Sequence, residues 1–304
     1  MEKVVVTGAD GFIGRFLVKH LLEKNIEVYA IGLDKSKLDD IACEKLHFIH
    51  ALFEDYSSLD KQLPKDLDCF FHFAWNGVFG KSFENYNLQL SNAKYACDAL
   101  MLAIKINCKK FVLASTINTL ETRHYMSLDE FQPRYTNIYA MSKLAAEMMC
   151  KTIAYQHKID FNCGIIAMVY GEYNQSKMIP NIVIGNLLQN KETNLVPAST
   201  PYDLIYVGDV ANAFIAIGEK GKNQKTYYVG HSNLSTFGEL FSTIQKIINP
   251  NVPLNFGVYP DTNAINYQLI DLDALEKDTN FKPSCNFEES ILKTAKWLKE
   301  TMEE

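Results

Sequence analysis

Early prolines, paired cysteines, basic blocks and long apolar runs are all scarce in this chain of 304 residues. Of nine prolines only Pro64 and Pro133 precede residue 171, which leaves the first half free to run as uninterrupted strands and helices. The seven cysteines, at 43, 69, 97, 108, 150, 163 and 285, include no C-x-x-C pair and are odd in number. That excludes a disulfide-stapled scaffold and points to free thiols in a reducing, cytoplasmic compartment. Apolar runs such as 70–75 fall far short of the ~20 residues a bilayer requires, and a strand pattern begins almost at once, so neither a membrane span nor an export signal is expected. With 30 Lys+Arg against 36 Asp+Glu the net charge is −6, and no basic block exists to track a phosphate backbone. Nucleic acid is excluded as a partner on that ground. No internal repeat, low-complexity tract or Gly/Ser-rich linker divides the chain.

What is present is a globular composition, 47% hydrophobic and 22% charged, arranged as alternating strands and helices. Strand patterns at 4–6, 27–31, 46–50, 69–74 and 111–114 alternate with helical patterns, the clearest over about 12–24 and 83–107. Strands this continuously apolar are buried on both faces, which predicts an α/β fold with a Rossmann-type, doubly wound parallel sheet. After Gly171 the rhythm loosens and seven prolines are spread through it. Residues 1–170 are therefore read as a dinucleotide-binding domain. Residues 171–304 form a smaller C-terminal α/β substrate-binding region, interleaved with the sheet.

The first strand runs into Thr7-Gly8-Ala9-Asp10-Gly11-Phe12-Ile13-Gly14. Gly8 permits a tight turn, Gly11 lets backbone amides approach a pyrophosphate, and Gly14 lets the helix opened by Phe12 and Ile13 pack on the sheet. A dinucleotide is the expected ligand. An acid ~20 residues on reads the adenosine ribose in NAD enzymes, and Asp34 lies 20 after Gly14, but past the apparent strand end at Gly32. Asp34 is thus read either as the ribose ligand or as the cap of a short helix. Because Gly32 brings no carboxylate to the strand tip while Lys35 and Lys37 could pair with a 2′-phosphate, the balance between NAD and NADP tips toward NADP. No motif calls for a metal.

Further on, Tyr139 and Lys143 stand four apart on one helical face. A free phenol, with a pKa of ~10, is a poor base at neutral pH, and a lysine beside it favours the phenolate. Such a pair can move the proton that accompanies a hydride transfer. Ser115 and Thr116 end the fifth strand, where a hydroxyl can polarise a carbonyl.

Taken together these segments resemble the extended short-chain dehydrogenase/reductases, and within them the NAD-dependent epimerase/dehydratase group that acts on nucleotide sugars. The likeness runs from Thr7–Gly14 through His72-Phe73-Ala74-Trp75, Asn92 to Ala96, Tyr139/Lys143, Val169-Tyr170-Gly171 and 203–210 to Phe281-Lys282-Pro283. It implies Thr116 as the catalytic hydroxyl, Tyr139 as acid/base, and Lys143 as the residue that holds the nicotinamide ribose and lowers the tyrosine pKa. It also implies Ala74 beside the cofactor, Trp75 and Ser115 beside the substrate, and dimerisation through the helix carrying Tyr139 and the long helix before it.

The chain also departs from the resemblance. Ile117-Asn118 replace the Asp-Glu that serves dehydration in the 4,6-dehydratases, so that activity is not expected. Tyr202 and Met168 stand where many members carry a diphosphate-clamping arginine and an asparagine, with Lys177 as partial compensation. The expected function is therefore NAD(P)-dependent 4-epimerisation or 4-ketoreduction of a nucleotide-activated, 4-keto-6-deoxy sugar. Two alternatives are a reductase of a small non-nucleotide carbonyl compound and a non-catalytic cofactor sensor.

Overall fold

The structure is a computed structural model and describes residues 1–126, 134, 136–262 and 265–303. In chain order the elements are β1 (Lys3–Thr7), α1 (Phe12–Glu23), β2 (Glu27–Gly32), β3 (Leu46–His50), β4 (Cys69–His72), α2 (Tyr86–Lys105), β5 (Lys110–Thr116), α3 (Asn118–Tyr125), α4 (Asn137–His157) and β6 (Asp160–Ile166). They continue with β7 (Met168–Tyr170), α5 (Ile179–Leu188), β8 (Thr193–Asn194), β9 (Pro201–Tyr202), β10 (Leu204–Tyr206), α6 (Val207–Lys220) and β11 (Lys225–Val229). The last are β12 (Ser235–Thr236), α7 (Phe237–Ile248), β13 (Leu254–Asn255), α8 (Ala274–Thr279) and α9 (Phe287–Glu303). Short 3-10 turns fill several connections, among them Lys35–Ile41 and Gly80–Glu84.

Seven strands form one sheet in the order β11-β6-β5-β4-β1-β2-β3, and every pairing in it is parallel. This is the doubly wound sheet expected from the sequence, with its order reversing between β1 and β4. Side chains alternate between two cores, as a two-residue period requires. Val4, Val6, Phe71 and Val112 point to the face covered by Leu17 and Leu21 of α1 and Phe214 and Ile217 of α6. Val5, Phe70, Phe111 and Leu113 point to the face covered by α2 and α4. Those two helices meet through Ala96, Ala99 and Ala103 on one side and Ala146, Cys150 and Ala154 on the other, small residues that let their backbones approach closely. A partly buried ion pair fastens α3 to α4: Arg123 Nη2 donates to both oxygens of Glu147 at 2.8 and 2.9 Å, and Thr226 of β11 donates to Glu147 Oε1 at 2.8 Å.

The C-terminal segments do not build a separate sheet. α6 packs beside α1, and β11 completes the main sheet, while β7/β10, β9/β12 and β8/β13 are two-stranded patches, the first against α6 and the second against α7. Among the described residues no helix is long and apolar enough to cross a membrane.

Gly164 of β6 seats the ring of Phe214, and an added Cβ would overlap the ring edge. Gly164→Ala should therefore cost ~1–3 kcal/mol by overpacking, with Phe214→Leu in the same chain recovering part of the loss. Denaturant unfolding of the two single variants and the double variant checks this, and purely additive losses would refute it.

Candidate active site

The carboxyl ends of β1, β4, β5 and β6 open onto a cleft of about 400 Å³, and the first turn of α1 forms one wall. Gly8 has φ +66, and a Cβ there would strike the backbone of Ala74; one at Gly14 would overlap Gly8 O. The turn is closed by Gly11 N donating to Gly8 O at 3.0 Å. α1 begins at Gly11 with no capping side chain and no acid in its first turn. Its leading amides and dipole therefore face the cleft without a protein anion, which is the condition for holding a pyrophosphate. Gly8, Gly11, Phe12, Ile13 and Gly14 all line the cleft. The residues present fit a dinucleotide.

At the tip of β4, His72 Nδ1 and Thr7 Oγ1 are 2.8 Å apart, and burial with the nearby Lys143 charge holds His72 neutral, its pKa down at about 3. Thr7 Oγ1 also accepts from Ala74 N at 3.4 Å, fixing the chain where it leaves the sheet. Beyond it the loop is held from α2. Gln89 accepts from Trp75 Nε1 at 2.8 Å and donates to Gly77 O at 2.7 Å, and Asn92 exchanges two hydrogen bonds with the Asn76 backbone.

Thr116, Tyr139 and Lys143 converge on the cleft, with Ser115 and Trp75 beside them. Thr116 stands beside Tyr139 in the lining, and its Oγ1 accepts from Asn118 N at 3.4 Å. Burial pushes the phenol up to about 12, with the nearby Thr116 hydroxyl pulling the other way. Lys143 donates from Nζ to Ala114 O at 3.1 Å and sits 3.8 Å from the centre of the Trp75 ring. Burial drives its pKa from the ordinary 10.5 down to about 7. Burial is the first cause of the shift in both groups, and the Lys143 amine is turned to a carbonyl and an indole face.

Other expected residues fall differently. Asp34 caps the turn Lys35–Ile41, accepting from Ser36 N at 3.0 Å and Ser36 Oγ at 2.6 Å, while Lys35 is exposed. Tyr202 does not line the cleft. Its ring packs against Phe237 and Phe241, 5.0 and 5.9 Å between centroids, because β9 pairs with β12 at the start of α7. Met168 lies in β7 outside the lining, and Lys177 is exposed between Ser176 and Met178, which do line it. Sequence reasoning missed Asn118, Asn174 and Ser176, the polar lining beyond the motif residues. The loosened rhythm after Gly171 reads as excursions from the sheet that build a lid, and Asn174, Ser176 and Met178 of that stretch line the cleft.

A family profile, the NAD dependent epimerase/dehydratase family, matches residues 4–230, and the chain belongs to that family. A putative UDP-glucose 4-epimerase of Methanocaldococcus jannaschii is 26% identical over 97% of this chain and 98% of its own. A dTDP-D-glucose 4,6-dehydratase of Bos taurus is 26% identical over 98% of this chain and 89% of its own. Among solved structures, a UDP-N-acetylglucosamine 4-epimerase from Methanobrevibacter ruminantium M1, in complex with UDP-N-acetylmuramic acid, superposes with a TM-score of 0.81 at 25% identity over 99% of both chains.

The depressed Lys143 has a consequence for stability. Between its folded value of about 7 and its ordinary 10.5 the unfolded chain binds more protons than the folded one, so this group makes stability rise with pH, and its cost is fully present below pH 7. Lys143→Met removes that cost. Thermal melts of both proteins should show the variant gaining most at pH 6 and its advantage closing toward pH 10; a gap independent of pH would contradict the assignment.

Proposed function

We propose that the chain catalyses hydride transfer at an oxygen-bearing carbon of a nucleotide-activated 4-keto-6-deoxy sugar, as a 4-epimerase or a 4-ketoreductase. The observation that carries this reading is the cleft's composition: among its described lining residues are a phenol, two hydroxyls at the end of β5 and a single ammonium, but no carboxylate. When bound, a nicotinamide dinucleotide supplies or accepts the hydride. The remaining chemistry falls to the chain. Thr116 orients the sugar oxygen, and Tyr139, protonated at neutral pH, gives its phenolic proton to the alkoxide as it forms. Oxidation reverses the step, with Tyr139 taking the proton back. Lys143 holds a positive charge near the phenol once an anionic ligand raises its pKa from about 7.

Dehydration needs a carboxylic acid and a carboxylate next to the catalytic threonine. Ile117 is buried there, and Asn118 is neutral. The nearest acid on α3, Glu121, is buried, accepts from Arg134 Nε at 2.6 Å and is not among the described lining residues of the cleft. This supports epimerase or reductase chemistry even though dehydratases are among the relatives.

One observation favours a second reading, a small non-nucleotide carbonyl substrate. No guanidinium is among the described lining residues, and Tyr202, at the position of the family's arginine, is packed away from them. The outer faces of α2 and α4, which expose Leu90, Met101, Met148 and Tyr155, suit the homodimer that the family implies, and seven unbridged cysteines suit a reducing cytoplasm.

Tyr139→Phe should lower kcat roughly 10²- to 10⁴-fold while leaving the dinucleotide Kd within about threefold. Assays with UDP-, dTDP-, CDP- and GDP-4-keto-6-deoxy sugars and reduced nicotinamide check it. Net cofactor consumption identifies a reductase, and interconversion without consumption an epimerase. A variant within threefold of wild type in kcat would overturn the mechanism.

A further inference from the structure

We propose that Asp10, a residue of the glycine turn, supplies the carboxylate that faces the adenosine ribose, and that it makes this chain select NAD over NADP. The inference rests on the reading of that turn as a dinucleotide site.

In the βαβ fingerprint the ribose is read by an acid at the tip of the second strand. Here the tip is Gly32, which has no side chain, and the structure fills the missing place from elsewhere. Asp10 reaches across from the glycine turn so that a Cβ built on Gly32 would collide with Asp10 Oδ1. The carboxylate therefore occupies the space where a strand-tip side chain would begin. Its other oxygen, Oδ2, accepts from Leu33 N at 3.1 Å and Asp34 N at 3.0 Å, and Ala9 N donates to Ile31 O at 3.2 Å, tying the turn to the end of β2. Gly32 and Asp10 act as a pair: the glycine makes the notch and the aspartate fills it.

Two effects follow, and both act against a 2′-phosphate. A fixed negative charge stands at the strand tip, repelling a second anion while accepting readily from ribose hydroxyls. The amides of Leu33 and Asp34, the backbone donors that would otherwise offer themselves to phosphate oxygens there, are already taken. Asp34 lies past the strand tip, where its Oδ1 accepts from Ser36 N and Ser36 Oγ and caps the following turn. Lys35 and Lys37 are exposed on the following turn, where solvent and salt screen them. The premise that nothing at the strand tip repels a 2′-phosphate is thereby corrected.

Equilibrium titration of the full chain with NAD and with NADP, read as Kd and not as turnover, tests the proposal. Wild type should bind NAD at least thirtyfold more tightly, and Asp10→Asn should bring the ratio to within about threefold by weakening NAD and strengthening NADP. Moving the acid to the strand tip, Asp10→Ala with Gly32→Asp, should restore a preference for NAD. Equal or tighter binding of NADP by wild type, or a ratio that Asp10→Asn moves by less than twofold, would overturn the role of Asp10 while leaving the dinucleotide site intact. Binding of neither dinucleotide would overturn the site itself and this inference with it. If Asp10→Asn does not fold, Lys35→Ala with Lys37→Ala decides: an unchanged wild-type preference supports Asp10, and a loss of NADP affinity beyond tenfold assigns the 2′ position to the lysines instead.

Discussion

A parallel sheet covered on both faces leaves no place for an unpaired polar side chain along its strands, since each would cost several kcal/mol to bury alone. In this chain β1, β4 and β5 are apolar through Val4–Val6, Cys69–Phe71 and Phe111–Ala114, and their carboxyl-terminal polar groups are Thr7, His72, Ser115 and Thr116. Because the pairings are parallel, those ends emerge along one edge of the sheet. The same edge receives the uncapped start of α1 and the inward face of α4 that carries Tyr139 and Lys143. Chemistry is gathered at one place because burial forbids it elsewhere.

That constraint also sets the electrostatic state of the cleft. Tyr139 and Lys143 are both desolvated, and desolvation favours the neutral form of each, raising the one and lowering the other. Lys143 finds a carbonyl and an indole face, partners that tolerate either of its forms, rather than a carboxylate that would hold it charged. The site thus rests near neutrality and depends on the charge its ligand brings. A cleft lined by carboxylates would behave in the opposite way, and none is among the described lining residues.

Much of this was legible from residue order alone. The strand pattern at 46–50 matches β3 in its bounds, the glycine turn follows from backbone requirements and the Tyr139/Lys143 pair from helical spacing, while Thr116 is singled out from Ser115 only by the family resemblance. The helical pattern over about 83–107 is longer than the helix that forms. That helix begins at Tyr86 because the Asn85 side chain accepts from Leu88 N at 3.1 Å and caps it there, after a 3-10 turn. Tyr202, expected at the diphosphate-clamping position, packs against Phe237 instead, because its direction depends on pairing with a strand more than thirty residues later. Asp10 was hidden for a similar reason: its role exists only where the turn after β1 meets the glycine at the end of β2, a juxtaposition that spacing does not encode. Local rules found the backbone cradle, whereas contacts between distant segments decided which side chains fill it.

The central claim is that the glycine turn and the polar carboxyl edge together form one nicotinamide dinucleotide site. Native mass spectrometry of the purified chain, with dinucleotide in excess, tests it most directly. The account predicts a mass increment of one nicotinamide dinucleotide per chain, released on denaturation. A chain that remains folded and carries no such increment would contradict it.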